Sequence, residues 1–131
     1  MSGSISDILT TLKNGVVAMN TLSSYLKNGI NLGRGAMPAS FFTYYTVAPN
    51  TRVVLTYIDI CNTSASSQTV YVSLVSVNGT AGADNALISG LPIPANSSFQ
   101  WSGAQALAPG ESIAAYATSA DVVIHLTGAG G

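Results

Sequence analysis

The sequence predicts a mainly β protein, in which an N-terminal α-helix precedes an antiparallel, jelly-roll-like β-sandwich. From Phe41 onward, short β-prone runs alternate with turn clusters, which is typical of a sandwich. Before that point, apolar residues recur at helical spacing. The chain has 131 residues, enough for one domain with a core but too few for two ordinary domains. We therefore expect a helix over residues 1–28, a linker over 29–40 and one β domain over 41–131.

The predicted helix in residues 1–28 has a start signal, a stop signal and a narrow apolar stripe. Ser4 can cap the helix, Asp7 suits its positive end, and Asn28-Gly29 supplies a left-handed stop. The stripe follows the a and d positions of three heptads and is broken only at Gly15. We expect it to be a subunit interface. Its residues are Ile5, Ile8, Leu12, Met19, Leu22 and Leu26.

Two arrangements fit that stripe equally well. It can pair with copies of itself in a bundle, or it can pack on the sheet of its own domain. Isoleucine at the first a and d positions favours a trimer over a dimer, although Leu and Met later in the stripe weaken that preference. We expect a homo-oligomer, with the trimer preferred.

The next segment, residues 29–40, is rich in glycine and shows no apolar period. Gly29, Gly33, Gly35 and Pro38 break any regular pattern, so the segment is interpreted as a linker. It also lacks the spacing of a phosphate-binding loop.

Seven strands are predicted after the linker. Val122, Ile124 and Leu126 share one side of the last strand, which indicates one buried face. The predicted strands are Phe41 to Val47, Arg52 to Cys61, Gln68 to Val77, Ala86 to Ile88, Ser97 to Trp101, Ser112 to Thr118 and Asp121 to Thr127.

Charge is the most unusual feature of the composition. Only 7% of residues are charged, whereas 47% are hydrophobic; an average soluble protein has roughly 25% charged residues. A neutral surface of Ser, Thr, Asn, Gln, Ala and Gly favours a protein held in an assembly, because freely diffusing proteins generally use surface charge to stay apart. With a net charge of −1 and no basic patch, nucleic-acid binding is not expected.

Targeting signals are not evident. No apolar run approaches the ~18 residues of a membrane helix, so no membrane partner is expected. The N-terminus lacks a basic region and a cleavage site of the secretory type, which predicts synthesis in the host cytoplasm without a signal peptide. The N-x-S/T triplets at Asn62, Asn78 and Asn96 are accordingly interpreted as turn residues.

Catalytic and metal-binding patterns are not found. His125 is the only histidine, and Cys61 the only cysteine, which we expect to be buried. No G-x-S-x-G elbow surrounds a serine. Asp59 lies inside a strand, where we expect a half-buried carboxylate with a hydrogen-bond partner, or one at a subunit contact opposite Arg34 or Arg52. Thus no catalytic residue, metal or cofactor is predicted.

Aromatic residues are the remaining candidates for recognition. Phe41, Phe42, Tyr44 and Tyr45 put rings on both faces of one strand, which favours a contact surface over a glycan platform. Trp101, near a predicted strand end, is the candidate for an exposed ligand contact.

Several blocks of the chain resemble a loose family of small phage virion proteins. The blocks are Thr46 to Thr51 with the apolar strand through Asn62, the turn and strand Leu107 to Ile113, and the terminal strand Val122 to Gly128. The resemblance covers most of the chain and consists of structural residues. It implies a virion component and carries no catalytic motif.

The sequence therefore predicts a non-enzymatic structural protein of a tailed phage, located in the virion. A homo-oligomeric capsid decoration or head-fibre protein and a tail-associated protein are both consistent with it, with capsid or tail proteins as partners. The alternative is a receptor- or glycan-binding module of a phage fibre, which recognises a host surface glycan.

Overall fold

The computed structural model describes residues 29–130, which form eight β-strands. The one helical element among these residues is a short 3-10 helix, Ala83–Asn85. The strands are β1 (Ile30–Ala36), β2 (Phe42–Thr46), β3 (Val53–Asn62), β4 (Gln68–Val75), β5 (Ala86–Ile93), β6 (Ser97–Leu107), β7 (Ser112–Ala117) and β8 (Val122–Gly130).

The strands form two antiparallel sheets of four. Sheet A has the order β1-β8-β3-β6, and sheet B has the order β2-β7-β4-β5. Strand β1 pairs with β8, β2 with β7, β3 with β6 and β4 with β5. This is the pairing produced when one long hairpin is wrapped around a core, as in an eight-stranded jelly roll. The mainly β sandwich predicted from the sequence is confirmed.

The core lies between the inner faces of the two sheets. Sheet A contributes Leu55, Ile58 and Leu126, and sheet B contributes Val72 and Ile113, each at most 1% exposed. Burial alternates along most strands, as the pleat requires. In β3 the alternation changes phase between Leu55 and Ile58, because a bulge shifts the register there.

The segment predicted as a linker contains β1. Leu32 of this strand is buried in the core, and Met37, just after it, is fully buried. The described β-sandwich therefore includes residues from Ile30 onward, and not only those from Phe41. The sequence did not predict β1 because Gly33 and Gly35 interrupt any alternation of apolar and polar residues.

The seven predicted strands are all present, with changed ends. The fourth and fifth extend further than predicted, to Ile93 and Leu107. Cys61 is half-buried on the outer face of sheet A, so the expectation that it is buried is wrong. Cys61 lies four residues after Tyr57 in continuous register, so both side chains face the outer side of sheet A. The predicted N-terminal helix lies outside the described residues.

Candidate functional site

An aromatic pocket lies on the outer face of sheet B. Tyr71 of β4 and Tyr116 of β7 are direct cross-strand partners, and their rings stack with centroids 4.3 Å apart and planes 6° apart. Phe41, just before β2, packs edge-on against Tyr116 at 4.6 Å. The three rings are only half-buried, because the inner sides of the same strands already fill the core. They form one wall of a pocket of about 250 Å³.

The connection between β4 and β5 forms the opposite wall. Ser73, 1% exposed, donates its hydroxyl to the carbonyl of Gly82 at 3.2 Å and so holds this loop against the sheet. The side chain of Asn85 orders the loop from within. Its Oδ1 accepts from the Gly82 N–H at 3.0 Å, and its Nδ2 donates to the Thr80 carbonyl at 2.9 Å. The wall is thus positioned by specific hydrogen bonds.

The chemistry of the pocket is neutral. Its lining contains no carboxylate, lysine, arginine or histidine, and its polar groups are hydroxyls and backbone groups. Desolvation, followed by the neighbouring Tyr71, raises the pKa of Tyr116 above its ordinary value. Aromatic faces with hydroxyl groups at their edge suit an uncharged ligand that has both an apolar face and hydroxyls.

The outer face of sheet A carries a row of polar side chains. Arg34, His125, Asp59 and Gln100 are successive partners across its four strands. Asp59 is half-buried and accepts a hydrogen bond from Nε2 of Gln100 at 2.9 Å. This confirms the expected hydrogen-bond partner for Asp59. Arg34 lies two strands away, with His125 between them.

Trp101 has a different setting from the one its sequence position suggested. It lies within β6, opposite Ile58, and is half-buried against the core. A Cβ added at Gly103 would lie 2.9 Å from the edge of its ring. This packing favours a structural role, and ligand contact by Trp101 stays a prediction. The helix stripe lies outside the described residues.

The sequence does contain a signal for the aromatic pocket. Tyr71 lies between Val70 and Val72, and Tyr116 lies between Ala115 and Ala117, so each ring must face away from a buried neighbour. What the sequence could not supply is the pairing of β4 with β7, which brings the two rings together.

Within residues 29–130, no group of three or more His, Cys, Asp or Glu side chains is arranged to hold a metal ion. The same residues include no helix with the length and apolar character needed to cross a membrane.

Comparisons with protein-family models and with curated sequences found no match.

Proposed function

We propose that this protein is a non-enzymatic structural component of a tailed phage virion, acting as a homo-oligomer. It acts as a capsid decoration or head-fibre protein, or as a tail-associated protein. The observation that carries the proposal is the nearly uncharged sandwich. Its 102 described residues include only two arginines and four carboxylates, Arg34, Arg52, Asp59, Asp84, Glu111 and Asp121.

Packing against like copies or other virion proteins suits such a surface. Burying a charge in an interface costs free energy unless it is paired, whereas Ser, Thr, Asn and Ala side chains can be covered at little cost. The double-sheet architecture adds support by analogy, because jelly rolls occur in viral capsid proteins and lectins. The resemblance of several blocks to small phage virion proteins points the same way.

Detecting the protein in purified phage particles tests the proposed virion role. We expect tailed phage particles, purified on a density gradient from a lysate that expresses the gene, to contain this chain at a fixed copy number. Quantitative mass spectrometry measures the copy number, and antibody labelling in the electron microscope distinguishes head from tail. Absence of the chain from purified particles, with presence in the soluble fraction, would contradict the proposal.

A second candidate function is a receptor- or glycan-binding module of a phage fibre. The aromatic pocket favours it, because Phe41, Tyr71 and Tyr116 present ring surface beside hydroxyls with no charged side chain in the lining. A neutral sugar can stack its C–H face on a ring and exchange hydrogen bonds with the hydroxyls. The two functions are compatible in one protein.

A glycan array probed with the full chain tests this candidate. We expect binding to a set of neutral glycans that Tyr116→Ala abolishes. Tyr57→Ala, which removes an exposed tyrosine from sheet A, is the matched control and keeps the binding. Trp101→Ala separates the two recognition hypotheses, since loss of binding in a folded Trp101→Ala protein would move the site to β6. No binding by the wild-type protein would exclude the glycan function.

A further inference from the structure

The four edge strands of the sandwich differ in how well they are protected against pairing with another chain. Exposed edges offer unpaired N–H and C=O groups, and proteins usually protect them with charges, proline, bulges or short strands. Strand β1 has Arg34 and a register shift, β2 has five residues and a bulge, and β5 has Pro92 and two register shifts.

Strand β6 has little of this protection. It runs for eleven residues, Ser97–Leu107, without a charged residue or a proline. Residues 97–102 pair in continuous register with β3, and the one bulge of the pair comes after them. Because β6 ends the sheet, the backbone groups that point away from β3 have no strand partner among the described residues.

The side chains of this regular stretch fit a partner strand. Ser98, Gln100 and Ser102 are exposed on the outer face, where they are small or uncharged. Phe99 and Trp101 point inward and pack on the core, but the open edge leaves both only half-buried. A strand added here would complete the backbone pairing and cover the remaining ring surface.

We propose that the β6 edge binds the β6 edge of a second copy of this chain, antiparallel, about a two-fold axis at Gln100. In this register Gln100 faces its own equivalent, Ser98 faces Ser102 of the other copy, and Phe99 faces Trp101 of the other copy. Aromatic pairs and polar pairs then fall opposite each other, which are favourable cross-strand combinations. Sheet A becomes one continuous sheet of eight strands across the two copies.

The absence of charge is what selects a second copy as the partner. Identical strands that carry a charge near the axis would place like charges opposite each other, which is destabilising. Residues 97–102 carry none, so self-pairing places no like charges directly opposite each other. Asp59, the neighbouring carboxylate, lies one strand back from the edge on β3 and is hydrogen-bonded to Gln100. A dedicated different partner would be expected to use charge complementarity for specificity, and this edge offers no charge to complement.

This inference deepens the proposed self-association by naming a contact surface outside the N-terminal segment. It rests on the homo-oligomeric part of the proposed function, and not on a place in a virion. Absence of the chain from particles would leave the β6 contact standing, whereas loss of the β6 contact would leave a virion role testable through the N-terminal segment.

The first test compares the mass of the full chain in solution, by light scattering, with that of Gln100→Glu. Two carboxylates at the axis, each beside Asp59 of its own β3, should repel, and we expect the mass to fall by half. Thr46→Glu, an exposed site on β2 at an edge of sheet B, is the control and should keep the wild-type mass. Equal masses for wild type and Gln100→Glu would overturn the proposal.

The second test fixes the register by cross-linking in a Cys61→Ser background. Gln100→Cys should form an intermolecular disulfide under mild oxidation, because the two residues meet at the axis within the ~4.4–6.8 Å that a disulfide spans between Cα atoms. Ser98→Cys should not, since two copies of residue 98 would lie roughly 13 Å apart along the strand. Equal cross-linking of both variants, or none with Gln100→Cys, would refute the register and the two-fold contact.

Discussion

Asn62, at the end of β3, is fully buried, and its side chain holds two connections together. Its Nδ2 donates to the carbonyls of Ser66, Ile93 and Pro94 at 2.8, 2.9 and 3.2 Å. Its Oδ1 accepts from the N–H and the hydroxyl of Ser64 at 2.9 and 2.7 Å. The amide thus joins the β3–β4 connection to the β5–β6 connection. The sequence indicated a turn residue at this position, and the structure shows that its side chain also fixes two loops through hydrogen bonds.

We predict that Asn62→Ala lowers the free energy of unfolding by about 2–4 kcal/mol, because it removes three hydrogen bonds to loop carbonyls, including the buried one of Ile93. Urea unfolding measures the change. Asn62→Asp is the matched variant. It retains the acceptor for Ser64, but puts a carboxylate against three carbonyl oxygens, and at pH 7 it should be destabilised at least as much. A change below about 0.5 kcal/mol, as is usual for surface substitutions, would contradict the role given to Asn62.

Tyr116 links the aromatic pocket to the pH dependence of stability. Partial desolvation and the neighbouring Tyr71 raise its pKa, and burial raises the pKa of Tyr44. Above about pH 10 the unfolded chain releases these protons before the folded protein does, so the stability is fully present below that pH and falls as pH rises through the folded pKa values.

We therefore expect the urea midpoint of the wild type to decline as pH rises above about 10, and the midpoint of Tyr116→Phe to decline less. The phenylalanine variant keeps the ring and removes the ionisation, so it isolates the proton effect from packing. Tyr44 still contributes in both proteins. A decline of the same size in wild type and Tyr116→Phe would show that Tyr116 does not contribute.

At the scale of elements, β1 is the strand that depends most on glycine. Gly33 has φ of +148°, a region that disfavours other residues, and a Cβ there would lie 2.8 Å from the Cβ of Tyr44. Tyr44 in turn donates its hydroxyl to the carbonyl of Ala36 at 3.3 Å. This contact lies where β1 of sheet A approaches β2 of sheet B.

Gly33→Ala distinguishes a strand from a linker by the sign of its effect. In a flexible linker the change would stabilise the protein by roughly 0.4–1 kcal/mol, since it restricts the unfolded chain. In β1 we expect it to destabilise by about 1–3 kcal/mol, through backbone strain and the clash with Tyr44. Gly82→Ala, at an extended backbone position with open space, is the control and should be nearly neutral. Thermal unfolding followed by circular dichroism measures both variants.

The limits of sequence-based prediction follow from the same elements. Strand β8 was predictable because Val122, Ile124 and Leu126 alternate with outward residues, and period two is a property of a single strand. Strand β1 was not, because glycines remove the side chains that carry the period. The aromatic pocket required strand pairing, which depends on contacts between residues far apart in the chain. The sequence identified its rings as candidates without showing which of them meet.

For the whole molecule, the two sheets share one core but have different outer faces. Sheet B presents the aromatic pocket, while sheet A presents a polar row and ends in the uncharged β6 edge. This separation allows recognition and assembly to occur on different sides of one small domain. It also means that interface variants on β6 should not alter ligand binding at Tyr116.

Testing the role of the N-terminal stripe requires a truncated chain that still folds. Because β1 belongs to the sandwich, such a chain must keep β1. A chain that starts at Pro38 would lose Leu32 and Met37 from the core and should not fold stably. A chain that starts at Gly29 keeps all eight strands and should unfold cooperatively. Comparing these two truncations by circular dichroism tests that boundary.

The mass comparison is then made between the full chain and the chain from Gly29, both carrying Gln100→Glu so that the β6 contact does not form. We expect a trimer for the full chain and a monomer for the truncated chain, because a narrow a and d stripe buries its apolar residues best against copies of itself. Light scattering over a range of concentrations measures both masses. Equal masses would mean that the stripe serves its own sandwich or a virion partner. A cement or adaptor role would then explain the protein better than a fibre-like one.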